Sequence, residues 1–441
     1  MKLHYLPFAP LLSIAFFLEA NAKAEPALTT EIDKESVQPS YEKDDGNPCT
    51  QNHNYSAKQI ERIKGAIEEI SSKKDPAVKD LIRLSKLSRL IGSCTASLKH
   101  ANEAVSLGKL SSDAYDNRAY IRQLLDQTDL ALSDISKSLL LNPKNSSSYG
   151  LRCNILFRSG NKAAALEDCS KAINIDPNNA DYYSTRGLIR LNMGDPKGAI
   201  TDYSQAIKIK PSDYSLYQNR GSIKVMNQDY LGSSNDLKQA LKLAPSTANT
   251  SGIYSTLCLA TQNLGDLNKA IEECNKAIKI DQSNSDSYFN RGNIYLSKEE
   301  YEKALKDYNQ SIALNPEQDA VVNNIAGTLA MLGRNHEAIK VYSKLINKGY
   351  DLSGSYKNRA YAWAAVKDYK NALTDMNKAI KYSPGDPLLY YWRGNFLFKL
   401  GKSKVGCADF NRASMLGMQE IRQWLQSKQG EICTGTEGAD D

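Results

Sequence analysis

Prolines Pro143, Pro177, Pro211 and Pro245 recur at one constant interval, and Pro316 and Pro384 continue the series at twice that interval. A chain with a fixed period of this length, about 34 residues, builds no single central core. Each period is one supersecondary unit that must bury its apolar face on its neighbours. Gln282 stands in the proline place after a three-residue insertion near Ser246 to Asn249. Tyr115, Tyr149, Tyr183, Tyr217, Tyr254, Tyr288, Tyr356 and Tyr390 keep the same step, each at a constant distance ahead of the proline place. Small residues form two further rows: Ala119, Cys153, Gly187, Gly221, Cys258, Gly292, Ala326, Ala360 and Gly394, then Ala131, Ala165, Ala199, Ser233, Ala270, Ala304, Ala338, Ala372 and Gly406.

Physically, these rows describe two antiparallel helices per unit that approach closely where the small residues face each other. A turn such as Leu264-Gly265-Asp266 joins them, and the proline stops the second helix. Ala270, Ile271, Cys274, Ala277 and Ile278 carry the spacing of an amphipathic helix. The set Tyr183, Gly187, Ala199, Tyr203, Ala206 and Pro211 resembles the tetratricopeptide repeat signature. That resemblance implies an all-α solenoid, a right-handed superhelix of antiparallel helix pairs. Nine units fit the frame, together covering 112–420: 112–145, 146–179, 180–213, 214–247, 251–284, 285–318, 319–352, 353–386 and 387–420. A worn tenth is expected at 78–111 inside an N-terminal helical cap, 55–111, where Leu84, Ala101 and Ala104 fit the frame. Unit 319–352 departs most, with Val322 for tyrosine and Gly349 near the proline place.

The chain ends read differently. Lys2, the apolar run Leu6 to Leu18 and the small-x-small sites Ala20-Asn21-Ala22 or Ala22-Lys23-Ala24 predict a cleaved signal peptide over 1–24. The apolar run is short for a bilayer span, so no membrane insertion is expected after cleavage. Residues 25–54 read as a polar flexible linker, and 421–441 as a capping helix with Trp424 and Leu425 followed by a small, acidic tail. The protein is thus expected in a periplasm or extracellular space, most simply of a bacterium. In a eukaryotic secretory route Asn54 and Asn145 would be glycosylation acceptors.

Comparing the units exposes two couplings. Arg118, Arg152, Arg186, Arg220, Arg291, Arg359 and Arg393 share one position, and at a fixed offset after them stand Asp134, Asp168, Asp202, Asp236, Asp307, Asp375 and Asp409. The two units with Leu257 and Ile325 lack the arginine and also the aspartate, carrying Glu273 and Val341. Positions with this offset lie about equally far from the hairpin turn, so a planar guanidinium–carboxylate pair inside each unit is predicted. An arginine row open to an acidic ligand is the alternative. Cys153 and Cys169, and Cys258 and Cys274, repeat the same offset. In an exported chain with eight cysteines this favours hairpin disulfides over service as small apolar residues. Cys407 with Cys433 would tie the last unit to its cap, leaving Cys49 with Cys94. A zinc set of Cys49, His53, Cys94 and His100 competes with that last pair, but its spacing is loose, and no metal site is predicted.

Four histidines, no Gly-rich phosphate loop, no G-x-S-x-G elbow and no HExxH helix argue against an enzyme, and no cofactor is expected. A net charge of +6 from 56 basic and 50 acidic residues, interspersed without a dense basic patch, argues against nucleic acid. The remaining partner class is a protein or an extended peptide. In tetratricopeptide arrays the residue before the paired arginine faces the concave wall. Here that row includes Asn117, Asn219, Asn290, Asn324 and Asn358. It resembles the asparagine ladder of the repeat domain of O-linked N-acetylglucosamine transferase, whose carboxamides hold a peptide backbone. A carboxamide both donates and accepts, which suits that task. One turn on lie Tyr120, Asn154, Asn293, Tyr361 and Asn395, with Phe289 and Tyr391 adding aromatic surface. The family's carboxylate clamp needs basic residues where this row has asparagine, threonine, leucine and tryptophan. The expected function is an exported adaptor or scaffold that holds an extended segment on its concave face. The alternative is a structural component of the cell envelope that uses the outer face or ends of the solenoid.

Overall fold

The computed structural model describes residues 57–427 and 430–434. The expected leader, the linker, Cys49, His53 and the acidic tail lie outside them. Helices account for all the regular structure among the described residues. They form two compact bodies, one ending at Ala248 and one starting at Asn249, a division that falls where the sequence period slips.

In the first body, α1 (Ala57–Ser71) precedes the pairs α2 (Val78–Leu90) with α3 (Cys94–Leu107), α4 (Ser112–Leu124) with α5 (Thr128–Leu141) and α6 (Ser146–Arg158) with α7 (Lys162–Ile175). The pairs α8 (Ala180–Asn192) with α9 (Pro196–Ile209) and α10 (Tyr214–Met226) with α11 (Tyr230–Leu243) complete it. The second body holds α12 (Ser251–Asn263) with α13 (Leu267–Ile280), α14 (Ser285–Ser297) with α15 (Tyr301–Leu314) and α16 (Asp319–Met331) with α17 (Asn335–Lys348). It continues with α18 (Leu352–Ala365) paired to α19 (Tyr369–Tyr382), α20 (Pro387–Lys399) paired to α21 (Ser403–Met415), then α22 (Gln419–Gln426) and α23 (Glu431–Thr434).

The boundaries have local causes. Asn161, Asp195, Asp229, Asp266 and Asp368 each accept a backbone N–H of the second helix they start. Gly265 turns between α12 and α13 with φ 91°, a left-handed conformation that favours glycine. In the divergent unit, α17 stops at Gly349 in the same region, with φ 80°, so the glycine replaces the proline as terminator.

Within each hairpin the small residues do what their rows imply. A Cβ on Gly187 would lie 3.0 Å from the Tyr203 ring, and one on Gly292 2.8 Å from Tyr308. The same knob-into-gap relation sets Gly221 against Leu237 and Gly394 against Phe410. Cys153–Cys169 and Cys258–Cys274 occupy the same two positions of their hairpins and are bonded with Cα separations of 5.4 Å. Each of these bridges replaces a large-on-small contact, and their sulfurs lie fully inside the hairpins. Cys407–Cys433 ties α23 back to α21, and Trp424 of α22 meets Phe410 edge-on at 5.3 Å.

Candidate functional site

The arginines are the joints of the array. In all seven pairs Nε and Nη2 donate to the two oxygens of the aspartate, as with Arg291 and Asp307 at 2.7 and 2.7 Å. The guanidinium also lies over the tyrosine three residues earlier, 5.4 to 5.8 Å from its ring centre. In six of the seven, Nη1 also reaches back to the preceding second helix: Arg118 to Asn102, Arg186 to Ser170, Arg220 to Ser204, Arg291 to Asn275, Arg359 to Ser343 and Arg393 to Asn377. The hydrogen bond to the aspartate raises the basicity of Arg291, Arg359 and Arg393 despite burial. These guanidiniums are structural staples, which rejects the reading of a row open to an acidic ligand.

The asparagine row divides in two. Asn117 and Asn290 are only 7% and 5% exposed. Asn117 Nδ2 donates to Ser85 Oγ at 2.9 Å, and Asn290 Nδ2 to the Ser255 carbonyl and hydroxyl at 3.3 Å. Both serve the packing of one first helix on the preceding one, so their expected role in peptide binding is withdrawn. Asn219, Asn324 and Asn358 are half-buried, and each follows a buried tyrosine of the preceding second helix at one fixed offset: Tyr203, Tyr308 and Tyr342. Burial suppresses the acidity of those phenols, more than the neighbouring asparagines restore it, so the tyrosines stay protonated. Ala101 and Cys274 hold the tyrosine place ahead of Asn117 and Asn290, so those amides turn to serines instead. This tyrosine–asparagine coupling crosses unit boundaries, and a comparison within units misses it.

Two groups in the second body gather the half-exposed polar and aromatic chemistry. Asn293 Oδ1 accepts from Tyr308 Oη at 2.7 Å and from Asn324 Nδ2 at 3.0 Å, and Phe289 packs on Tyr308 at 6.0 Å. Further along, Trp392 meets Tyr361 edge-on at 5.2 Å and Tyr391 at 5.3 Å. Asn395 spends its Nδ2 on the Tyr391 carbonyl of its own helix. In the first body Asn154 likewise turns to the Gly150 carbonyl, and Tyr120 lies under the Arg89 guanidinium at 5.2 Å. Asn117, Tyr120, Asn154 and Asn219 belong to that body and join neither group.

Family models for the tetratricopeptide repeat match residues 146–179, 180–213 and 285–318, and a TPR repeat model matches 263–298. The chain is a tetratricopeptide repeat protein. Proteins of this family generally mediate protein–protein interaction. A DnaJ homolog subfamily C member 3 homolog of Dictyostelium discoideum is 25% identical over 130 residues, 30% of this chain and 26% of that protein. An Hsp70-Hsp90 organizing protein of Triticum aestivum is 25% identical over 125 residues, 28% of this chain and 22% of its own length. The matched stretch therefore spans about a quarter of these relatives. One relative is by name an enzyme, the human protein O-mannosyl-transferase TMTC1, of which 16% is matched at 24% identity over 138 residues, 30% of this chain. Among solved structures, a tetratricopeptide repeat protein from Parabacteroides merdae covers 57% of this chain and 98% of its own, with 16% identity and a TM-score of 0.43.

Other expectations meet the structure directly. Cys94 is disulfide-bonded, so the zinc alternative loses a thiolate ligand. Among the described residues no cluster of His, Cys, Asp and Glu is arranged to hold a metal ion, and no helix is long and apolar enough to cross a membrane. Asn145 Nδ2 donates to Asp116 at 2.6 Å and Ser112 at 2.9 Å. In the folded chain that amide is committed to these two partners.

Proposed function

We propose that this protein is an exported adaptor that holds an extended segment of a partner protein along the face made by its first helices. The observation that carries the proposal is the half-exposed surface of Asn293, Asn324, Asn358, Tyr361, Tyr391 and Trp392. It combines carboxamides with rings that lose little conformational freedom on binding. Phe289 and Asn395 add to this surface within the second body, and Asn219, Asn154 and Tyr120 offer a separate stretch of similar chemistry on the first. Three disulfides among the described residues suit an oxidising compartment, in keeping with the leader-like start of the chain.

The test is chemical crosslinking and capture from the exported fraction, comparing the native chain with a variant carrying Asn358→Ala and Trp392→Ala. A specific partner lost by the variant, with helicity unchanged by circular dichroism, is the expected result. An unchanged partner set would move the interface elsewhere. The envelope-assembly reading would then gain from Leu110 and Leu140, which are 84% and 73% exposed on the first body.

A further inference from the structure

We infer that the segment held on this face is a proline-bearing stretch in the polyproline II conformation, an inference that rests on the adaptor reading above. Asn293 carries the first half of the reasoning. Two donors, Tyr308 Oη and Asn324 Nδ2, converge on its Oδ1. Tyr308 is fully buried, and burial holds its phenol in the protonated, donating form. The carboxamide is therefore fixed with its oxygen inward. Its Nδ2 makes no hydrogen bond among the described residues, while the side chain remains half-exposed. What this point offers a ligand is a pair of N–H donors, aimed by a buried tyrosine.

The second half is the surface beyond it. Counting one repeat from Asn293 gives Gly327, and one more gives Tyr361. Gly327 is half-exposed and has no side chain, so a ligand backbone can pass close to α16. It then reaches the rings of Tyr361, Trp392 and Tyr391, which stand edge-on to one another. None of these residues is charged.

A polyproline II segment matches both halves. It makes no internal hydrogen bonds, so its carbonyls face outward as acceptors, and a proline has no N–H that would need an acceptor in return. Its rings pack on tryptophan and tyrosine faces, and its preformed backbone loses little entropy on binding. Donors at one end and uncharged aromatic rings at the other favour this ligand over an acidic or basic peptide. Tyr308 acts as a positioning residue, since it reaches the ligand only through Asn293.

Fluorescence anisotropy of a labelled decaproline peptide, beside a length-matched Gly-Ser peptide, tests this on the full chain. Decaproline is expected to bind while the Gly-Ser peptide does not. Trp392→Ala and Asn293→Ala should each weaken binding about tenfold or more. Tyr308→Phe should weaken decaproline binding with helicity retained. A merely structural role for Tyr308 would lower the melting temperature and leave affinity alone. Tyr361→Ala provides a second aromatic variant should Trp392→Ala fail to fold. Equal binding of the Gly-Ser peptide, or decaproline binding untouched by these changes, overturns the inference. Should decaproline fail to bind while the crosslinked partner is still lost with Asn358→Ala and Trp392→Ala, this inference alone falls. Failure of both experiments removes the adaptor reading itself.

Discussion

Replacing Arg359 with alanine should be among the costliest surface-accessible changes in the second body. The guanidinium donates to Asp375 at 2.7 and 2.8 Å and to Ser343 at 2.8 Å, and it covers the Tyr356 ring at 5.6 Å. Asp375 is only 4% exposed. Truncating the arginine strands a buried carboxylate, and breaking a buried pair in this way costs about 3–5 kcal/mol. The arginine side chain is 19% exposed, so water can partly reach the vacated space, which puts the expected loss near ~3 kcal/mol. The chain supplies its own control, because unit 319–352 carries Ile325 and Val341 at the equivalent positions. The double change Arg359→Ile with Asp375→Val should therefore cost about 1 kcal/mol or less, since an apolar pair leaves no charge unpaired. Urea unfolding followed by circular dichroism gives the size. Amide exchange across α18 and α19 localises it, because a repeat array need not unfold all at once. If the double variant is as unstable as the single one, the charge reasoning is wrong. The loss would then belong to packing of the arginine stem on Tyr356.

Further outcomes follow from the same geometry. Cys258→Ala with Cys274→Ala opens a hairpin bridge over a sequence separation of 16, and should destabilise by about 3 kcal/mol in the chain-entropy model. Amide exchange should quicken across α12 and α13 and stay unchanged in α18 and α19; no change in α12 would refute it. Gly394→Ala would place a Cβ 2.7 Å from the Phe410 ring and 3.0 Å from the Gly406 carbonyl. A loss of about 1–3 kcal/mol is expected in thermal melts of α20 and α21; a neutral result would mean the helices separate freely. Burial raises the Asp116 carboxyl above its ordinary range, although Ser148, Ser138 and Asn145 oppose the rise by hydrogen bonding. Its folded value thus exceeds its unfolded one, so its contribution to stability falls as pH climbs from about 4 through the raised value. Measured against Asp116→Asn, native stability should decline over that window and level off above it; a flat difference would refute the assignment.

The hairpin and its contacts were legible because the repeats act as parallel trials of one design. Arg–Asp pairs appear and vanish together, and the pairs Cys153–Cys169 and Cys258–Cys274 share one offset, so both could be read before any coordinates. The asparagine row misled for a physical reason. Asn117, Asn290 and Asn324 occupy the same position of their first helices, but whether an amide faces a ligand depends on the preceding second helix. A tyrosine there, as at Tyr308, leaves the asparagine half-exposed, whereas Ala101 or Cys274 sends it inward to a serine. The same co-occurrence test, run across unit boundaries, would have paired Tyr203 with Asn219 and Tyr342 with Asn358. The aromatic cluster was half visible: Tyr361 and Tyr391 stood out, while Trp392 entered the sequence reading only as a break in the asparagine row.

The backward reach shared by six of the seven arginines makes the repeats interchangeable parts. Arg393 grips Asn377, and Arg359 grips Ser343, through the same step along the chain. Excising residues 353–386 removes one full period, and brings Ser343 to the position from which Asn377 now serves Arg393. The socket left by the deletion already fits the incoming plug. A chain jointed in this way can gain or lose whole units by duplication or excision without any new contact having to be invented, so the length of the array is open to change while the rules of assembly stay fixed.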